Sequence, residues 1–164
     1  MDDKEQHEKE IVESELNILD AEIVNMRQST ARSVEGGHVE MEQVGAISID
    51  AERLEASQTA SLIVHGNDVN LNQSISGITI GNNTGLGYSL SPLILTRSHT
   101  DIRDSASGII ISKNITSRNT KTLFLIANKV EGDVKTVFDW KSAISLGAVI
   151  GGVLGFFSLL KNKK

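Results

Sequence analysis

The sequence predicts an all-β fold, a single-stranded β-solenoid, followed by one C-terminal transmembrane helix. Three observations predict it: a 15-residue repeat, a composition rich in turn-forming and β-branched residues with few aromatics, and a long uncharged segment near the C-terminus. They assign 17–137 to the solenoid, 138–141 to an interfacial linker and 142–160 to the helix. An acidic cap at 1–16 and a basic tail at 161–164 complete the chain.

The repeat is clearest at a recurring glutamine, which has apolar residues two and four positions before it. The glutamines are Gln28, Gln43, Gln58 and Gln73. A second apolar pair, with one residue between its members, extends the repeat towards the C-terminus with a spacing of 14 to 16. Self-similarity at a fixed period is typical of a solenoid. Cutting before each pair predicts about eight turns: 17–31, 32–46, 47–61, 62–77, 78–92, 93–108, 109–122 and 123–137.

The composition fits stacked strands better than a globular core. The chain has one proline and no cysteine, and only 4% of its residues are aromatic. Each rung of a solenoid contributes a few Ile, Leu or Val side chains, and stacking at about 4.8 Å joins them into one buried column. Eight such rungs would form a rod of about 40 Å.

The apolar pairs predict which side chains face inward. Because side chains alternate along a strand, both members of a pair such as Ile78 and Ile80 are expected inside, and the residue between them outside. The outward residues form a mainly apolar ladder, and an exposed apolar stripe is typical of a partner surface. The predicted self-association face therefore consists of Ile63, Thr79, Ile94, Ile110 and Phe124.

Asparagines recur three residues after the second apolar residue of several turns: Asn67, Asn83, Asn114 and Asn128. Stacked asparagines can form an amide ladder, and they tolerate the left-handed backbone of a tight corner. We predict a corner ladder here, although simple turn chemistry explains these residues equally well.

A coiled coil is the alternative at the N-terminus. Val12, Leu16, Leu19, Ile23 and Met26 follow heptad spacing over barely two heptads. The segment Leu19-Asp20-Ala21-Glu22 matches Ile49-Asp50-Ala51-Glu52 two periods later, which favours the solenoid from about residue 17. Residues 1–16 are then an acidic helical or disordered cap.

The segment 142–160 contains 19 uncharged residues between flanking lysines. At about 1.5 Å per residue it can cross a bilayer core of about 30 Å. Trp140 lies where an interfacial aromatic anchor is expected. Ala143, Gly147, Gly151 and Gly155 form successive small-xxx-small steps, which let two membrane helices approach closely.

The sequence offers little chemistry. His7, His38, His65 and His99 follow no metal-binding spacing, and acidic residues such as Glu52 are expected on a solvated face. The glycine-rich segment 81–87 lacks the Lys-Ser/Thr of a phosphate loop and is expected to be a widened corner. With a net charge of -5, a nucleic-acid partner is not expected. We therefore predict no enzyme activity, no catalytic residue, no cofactor and no metal.

The chain resembles an uncharacterised group of prokaryotic proteins with 15-residue turns and a C-terminal membrane anchor. Val130-Glu131-Gly132-Asp133-Val134, the apolar segment from Ser142 and the repeated glutamines carry the resemblance. This sequence departs from the group because most glycine pairs that follow the glutamine are replaced. The resemblance implies a fold and an anchor, but no activity.

These observations predict a non-enzymatic scaffold on a prokaryotic inner membrane, acting as a homo-oligomer. The alternatives are a module that binds a repetitive ligand such as a glycan, and a β-helix enzyme that acts on polysaccharides. Two rules conflict on orientation: Lys161, Lys163 and Lys164 favour a cytoplasmic tail, whereas the charged start of the sequence is unlike an export signal. Moving a short tail is the smaller task, so we predict a solenoid that faces the cytoplasm.

Overall fold

The computed structural model describes residues 8–12 and 15–136, which form a parallel β-solenoid of about seven turns. One sheet contains every strand in sequence order, so each strand pairs in parallel with the next. The predicted all-β solenoid is confirmed, and its described residues form about seven turns where the sequence predicted about eight. The strands are β1 (Glu8–Val12), β2 (Glu15–Arg27), β3 (Thr30–Glu42), β4 (Gly45–Ser57), β5 (Ala60–Asn72), β6 (Ile75–Gly87), β7 (Leu90–Arg103) and β8 (Ala106–Thr136).

The 15-residue repeat of the sequence is the register of the sheet. Val24 pairs with Val39, which pairs with Leu54 and then Val69. In the pairings from β1 to the first part of β8, the register shifts at β7, which has 14 residues where β3 to β6 each have 13. This extra residue is a β-bulge, and it explains why the repeat drifts in the later turns.

Along a turn, successive buried residues are alternately three and two positions apart. In β4 the buried residues are Ala46, Ile49, Ala51, Leu54 and Ala56. A step of two is ordinary strand alternation, whereas a step of three places two neighbouring side chains outside and so changes the direction of the chain. Each turn therefore has three bends, and no strand follows a simple inward-outward pattern throughout.

One bend of every turn contains a residue with left-handed backbone. Its positive φ is +49° at Gln28, +57° at Gln43, +53° at Gln58 and +50° at Gln73. The same position continues as Tyr88, Asp104 and Asn119, which also have positive φ. The residue that follows is in most turns a buried serine or threonine, and its hydroxyl donates to the carbonyl two residues earlier, as Ser74 Oγ does to Asn72 O at 2.8 Å.

The interior changes character along the stack. An apolar cluster runs from Ile11 to Leu71, and a smaller one begins at Leu86 and runs to Ile115. Between them lies a rung of hydroxyl side chains, in which Thr79 Oγ1 is 2.7 Å from Ser76 Oγ and 3.1 Å from Ser91 Oγ. These bonds satisfy groups whose burial would otherwise oppose folding.

The N-terminal boundary differs from the prediction. β1 begins at Glu8 and pairs with 23–27 of β2, and β2 itself begins at Glu15. Residues 8–12 and 15–16 therefore belong to the solenoid and not to the predicted cap. The coiled-coil alternative is wrong for 15–27, because the heptad residues there lie in a strand.

Candidate functional site

Two adjacent columns of large apolar side chains cover one outer face of the C-terminal turns. In the first column, Ile63 pairs with Ile78, Ile78 with Leu93 and Leu93 with Ile109. The second column lies two residues further along each strand and consists of Ile80, Leu95 and Ile111. The last turn adds the exposed residues Phe124 and Ile126. We call these nine residues the apolar face.

Three residues of the predicted self-association face do not lie on the surface. Thr79, Ile94 and Ile110 have exposures of 0% and line the interior. The outward positions of Ile63 and Phe124 are confirmed, at 44% and 46% exposure. Ile80, which was predicted to face inward, is instead partly exposed on the outer surface.

The physical reason for the error is the triplet of apolar residues in these turns. In Leu93-Ile94-Leu95 every side chain is apolar, so hydrophobicity alone does not say which faces inward. The bend just before each triplet sets the phase, since Ser76 is buried and the next inward residue is Thr79, three positions later. A serine inside and a leucine outside are the reverse of the usual rule.

The predicted asparagine ladder is not formed as a single column. Asn67 donates to Asp68 Oδ2 at 3.1 Å, whereas Asn83 pairs with Asp68 and donates to its Oδ1 at 2.8 Å. Asn114 donates to the carbonyl of Ser98 at 3.3 Å. Asn128 is exposed. These residues satisfy individual polar groups at the bends, which agrees with the simpler turn interpretation.

The amide ladder exists at the glutamines instead. Gln28 Nε2 donates to Gln43 Oε1 at 3.1 Å, Gln43 to Gln58 at 3.0 Å, and Gln58 to Gln73 at 3.2 Å. The ladder ends where Tyr88 replaces the glutamine. The sequence signal for this ladder was the recurrence of the glutamines every 15 residues. Because one turn has 15 residues, glutamines with this spacing lie on successive rungs, close enough for their side chains to bond.

A polar groove of about 870 Å³ lies on a different face of the same turns. Its floor is formed by Gly85 and Gly87, whose outward positions carry no side chain. Asn70 and Asn72 border the floor in the rung before, and Asp101 and Arg103 border it in the rung after. Tyr88 lines the groove beside Gly87 and is 67% exposed.

The polar side chains of the groove are partly fixed in place. Arg103 Nη2 donates to Asp101 Oδ2 at 2.7 Å, and Arg103 Nε donates to Oδ1 at 3.4 Å. The hydrogen bond and the charge of Asp101 raise the pKa of Arg103 above its usual value. Segment 81–87, predicted to be a widened corner, lies in β6 and supplies the groove floor. The sequence analysis missed this groove.

Metal-binding chemistry finds no support in residues 8–12 and 15–136, where no three His, Cys, Asp or Glu residues are grouped to hold an ion. The described residues also include no helix that is long and apolar enough to cross a membrane. The predicted anchor, with Trp140, Ala143, Gly147, Gly151 and Gly155, lies outside the described residues. Its membrane role therefore stays a prediction.

The fold places the described part of the chain among the parallel β-solenoids. No family model, curated protein or solved structure matches the chain.

Proposed function

We propose that this protein is a non-enzymatic scaffold that self-associates through the apolar face of its solenoid while a C-terminal helix holds it in a membrane. The observation that carries the proposal is the pair of apolar columns from Ile63 to Ile126. Apolar surface in contact with water costs free energy, so a second surface that covers these two columns would stabilise the pair.

The size of the face explains why a membrane anchor is needed as well. Five rungs at about 4.8 Å and three residues at about 3.3 Å give a footprint of about 240 Å². A stable protein interface buries about 800 Å² on each partner. The face alone is thus too small for tight association of free molecules. Anchoring both copies in one membrane raises their effective concentration, so a weak contact is then sufficient.

A second copy of the same chain fits this face best. The face is two columns wide, and a twofold axis along the stacking direction brings the Leu93 column of one copy against the Leu95 column of the other. Such a pair is parallel, so β8 lies at the same end of both copies. Parallel packing is also what the small residues Gly147, Gly151 and Gly155 favour in membrane helices.

We place the protein on the inner membrane of a prokaryote, with the solenoid in the cytoplasm, as the sequence predicts. This orientation is tested by adding protease to intact spheroplasts. The solenoid should remain uncut, and its digestion from outside would reverse the orientation.

The self-association is tested with the full-length protein reconstituted in lipid vesicles, so that the copies share one membrane. Leu93→Asp/Leu95→Asp places two charges at the centre of the face, and like charges on the second copy oppose contact. We expect resonance energy transfer between donor-labelled and acceptor-labelled copies to fall well below that of the wild type. The matched control is Asn70→Asp/Asn72→Asp, which adds the same charges at the same spacing on the groove face and should keep the wild-type transfer. Equal energy transfer for wild type and the Leu93/Leu95 variant would refute the proposal.

A further inference from the structure

The rung formed by β6 departs from the repeat at three outward positions together. The outward residues before the corner are Glu55 and Ser57 in β4, and Asn70 and Asn72 in β5. In β6 both become glycine, and the glutamine of the corner becomes Tyr88. Gly77, Gly81, Gly85 and Gly87 make β6 the most glycine-rich of the described strands, although glycine weakens a strand. Gly81 continues the repeat, since it pairs with Gly66 and a Cβ there would lie 3.1 Å from the backbone oxygen of Asn83. At Gly85 and Gly87 a Cβ would come closest to the side-chain oxygens of Asn70 and Asn72, at 2.9 and 3.4 Å, so the backbone does not require glycine at these two positions.

The side chain of Tyr88 adds a second observation. Its φ of +50° is the conformation of the corner in every described turn, which costs a bulky residue about 1–2 kcal/mol. At the preceding corners the side chain belongs to the amide ladder, which a phenol ring cannot continue as an amide does. The other residues with this conformation are Gln, Asp or Asn, so an exposed aromatic ring here departs from the repeat.

From the groove and these departures we propose that β6 and its neighbours form a binding site for a neutral oligosaccharide. The groove is lined by acidic residues (Glu55, Asp68, Asp101 and Asp104) and by basic ones (Arg53, Arg103 and Arg118) in similar number. A strongly charged polymer of either sign is therefore a poor fit, because it would meet like charges along its length. A wholly apolar ligand is also a poor fit, because it would remove the charged side chains of the groove from water without offering them hydrogen bonds.

A saccharide matches the groove group by group. Its hydroxyls both donate and accept hydrogen bonds, and the amides of Asn70 and Asn72 also do both. Asp101 can only accept and Arg103 can only donate, and the hydrogen bonds between them hold the two side chains together at the edge of the groove. The ring of Tyr88 offers an apolar face for the C–H side of a sugar and a hydroxyl at its edge.

The length of the groove predicts the size of the ligand. Its lining runs from Arg53 in β4 to Arg118 in β8, which is four rung spacings or about 19 Å. A chain of several sugars can lie along such a groove, whereas a single sugar fills only part of it. Saccharide binding is independent of self-association, because the groove and the apolar face lie on different sides of the rungs.

The test uses the full-length protein in a detergent without a sugar headgroup. Cellotetraose, chitotetraose and maltotetraose are titrated by calorimetry, with a polyglutamate and a polylysine peptide as charged probes. We expect one tetrasaccharide to bind at micromolar to millimolar concentration, and neither peptide to bind. Binding by a charged peptide alone, or by none of the tetrasaccharides, would overturn the proposal.

Two variants separate a binding role from a structural one. Tyr88→Gln restores the corner residue of the earlier turns, and we expect it to weaken tetrasaccharide binding at least tenfold while the melting temperature stays the same or rises. Gly85→Asn places a side chain on the groove floor, and we expect it to weaken tetrasaccharide binding as well. The matched control is Glu40→Asn, in the same column but outside the groove, which should leave affinity unchanged. Unchanged affinity in both groove variants would also overturn the proposal.

Discussion

At the scale of single residues, the corner with left-handed backbone decides where each turn closes. Glutamine has no intrinsic preference for this conformation, which costs about 1–2 kcal/mol in a residue with a side chain. The amide ladder offsets this cost, since each inner glutamine accepts from one rung and donates to the next. Because a side-chain hydrogen bond contributes about 0.5–1.5 kcal/mol net, the two effects are of similar size.

Gln58 is the residue on which to test the ladder, as it lies between Gln43 and Gln73. Gln58→Ala keeps the backbone cost but removes both bonds, so we expect the free energy of unfolding to fall by about 1–2 kcal/mol. Gln58→Gly removes the bonds and the backbone cost together, so its loss should be smaller. Denaturant unfolding followed by circular dichroism measures both. If alanine at this position is as stable as glutamine, the ladder does not stabilise the turn.

At the scale of the strand, the three bends in each turn are the feature that ordinary alternation does not describe. Within one straight segment inward and outward residues alternate, but at each bend the phase moves by one residue. The C-terminal turns place apolar residues on both sides of these segments. Ile94 is buried, while Leu93 and Leu95 are on the outside and contribute to the apolar face.

Ile94 and Leu95 provide the direct comparison, because they are neighbours on opposite sides of one strand. Ile94→Asp places an unpaired charge in the dry interior, and we expect it to cost at least several kcal/mol and prevent folding. Leu95→Asp places the charge in contact with water, so the β-sheet signal in circular dichroism should be retained. Loss of the fold in both variants, or in Leu95→Asp alone, would contradict an inward Ile94 and an outward Leu95.

The repeat could be predicted from the sequence because stacked rungs need similar residues at equal spacing, as at Gln28 and Gln43. The direction of individual side chains could not be predicted in turns where apolar residues lie on both faces of the strand and serines such as Ser76 lie inside. The polar groove could not be predicted because it forms where Gly85 and Gly87 have no side chain, and a missing side chain leaves no pattern of its own in the sequence. Its sequence signal was the replacement of Asn70, Asn72 and Gln73 by glycine and tyrosine one period later.

At the scale of the whole molecule, the solenoid has two surfaces of different character. The apolar face is proposed to meet a second copy, and the polar groove a saccharide. Both lie mainly on the later of the described turns, whereas acidic side chains such as Glu35, Glu40 and Glu42 are frequent in the earlier turns. Anchored copies packed side by side would therefore carry their grooves on the outside of the pair.

Cross-linking in isolated membranes tests the central claim most directly, since the chain contains no cysteine of its own. In Leu93→Cys/Leu95→Cys the new thiols lie at the centre of the apolar face, and those of Asn70→Cys/Asn72→Cys lie on the groove face with the same spacing. A short bismaleimide should convert the first variant to a covalent dimer and leave the second monomeric. Equal cross-linking of both variants, or none in the first, would contradict self-association through the apolar face.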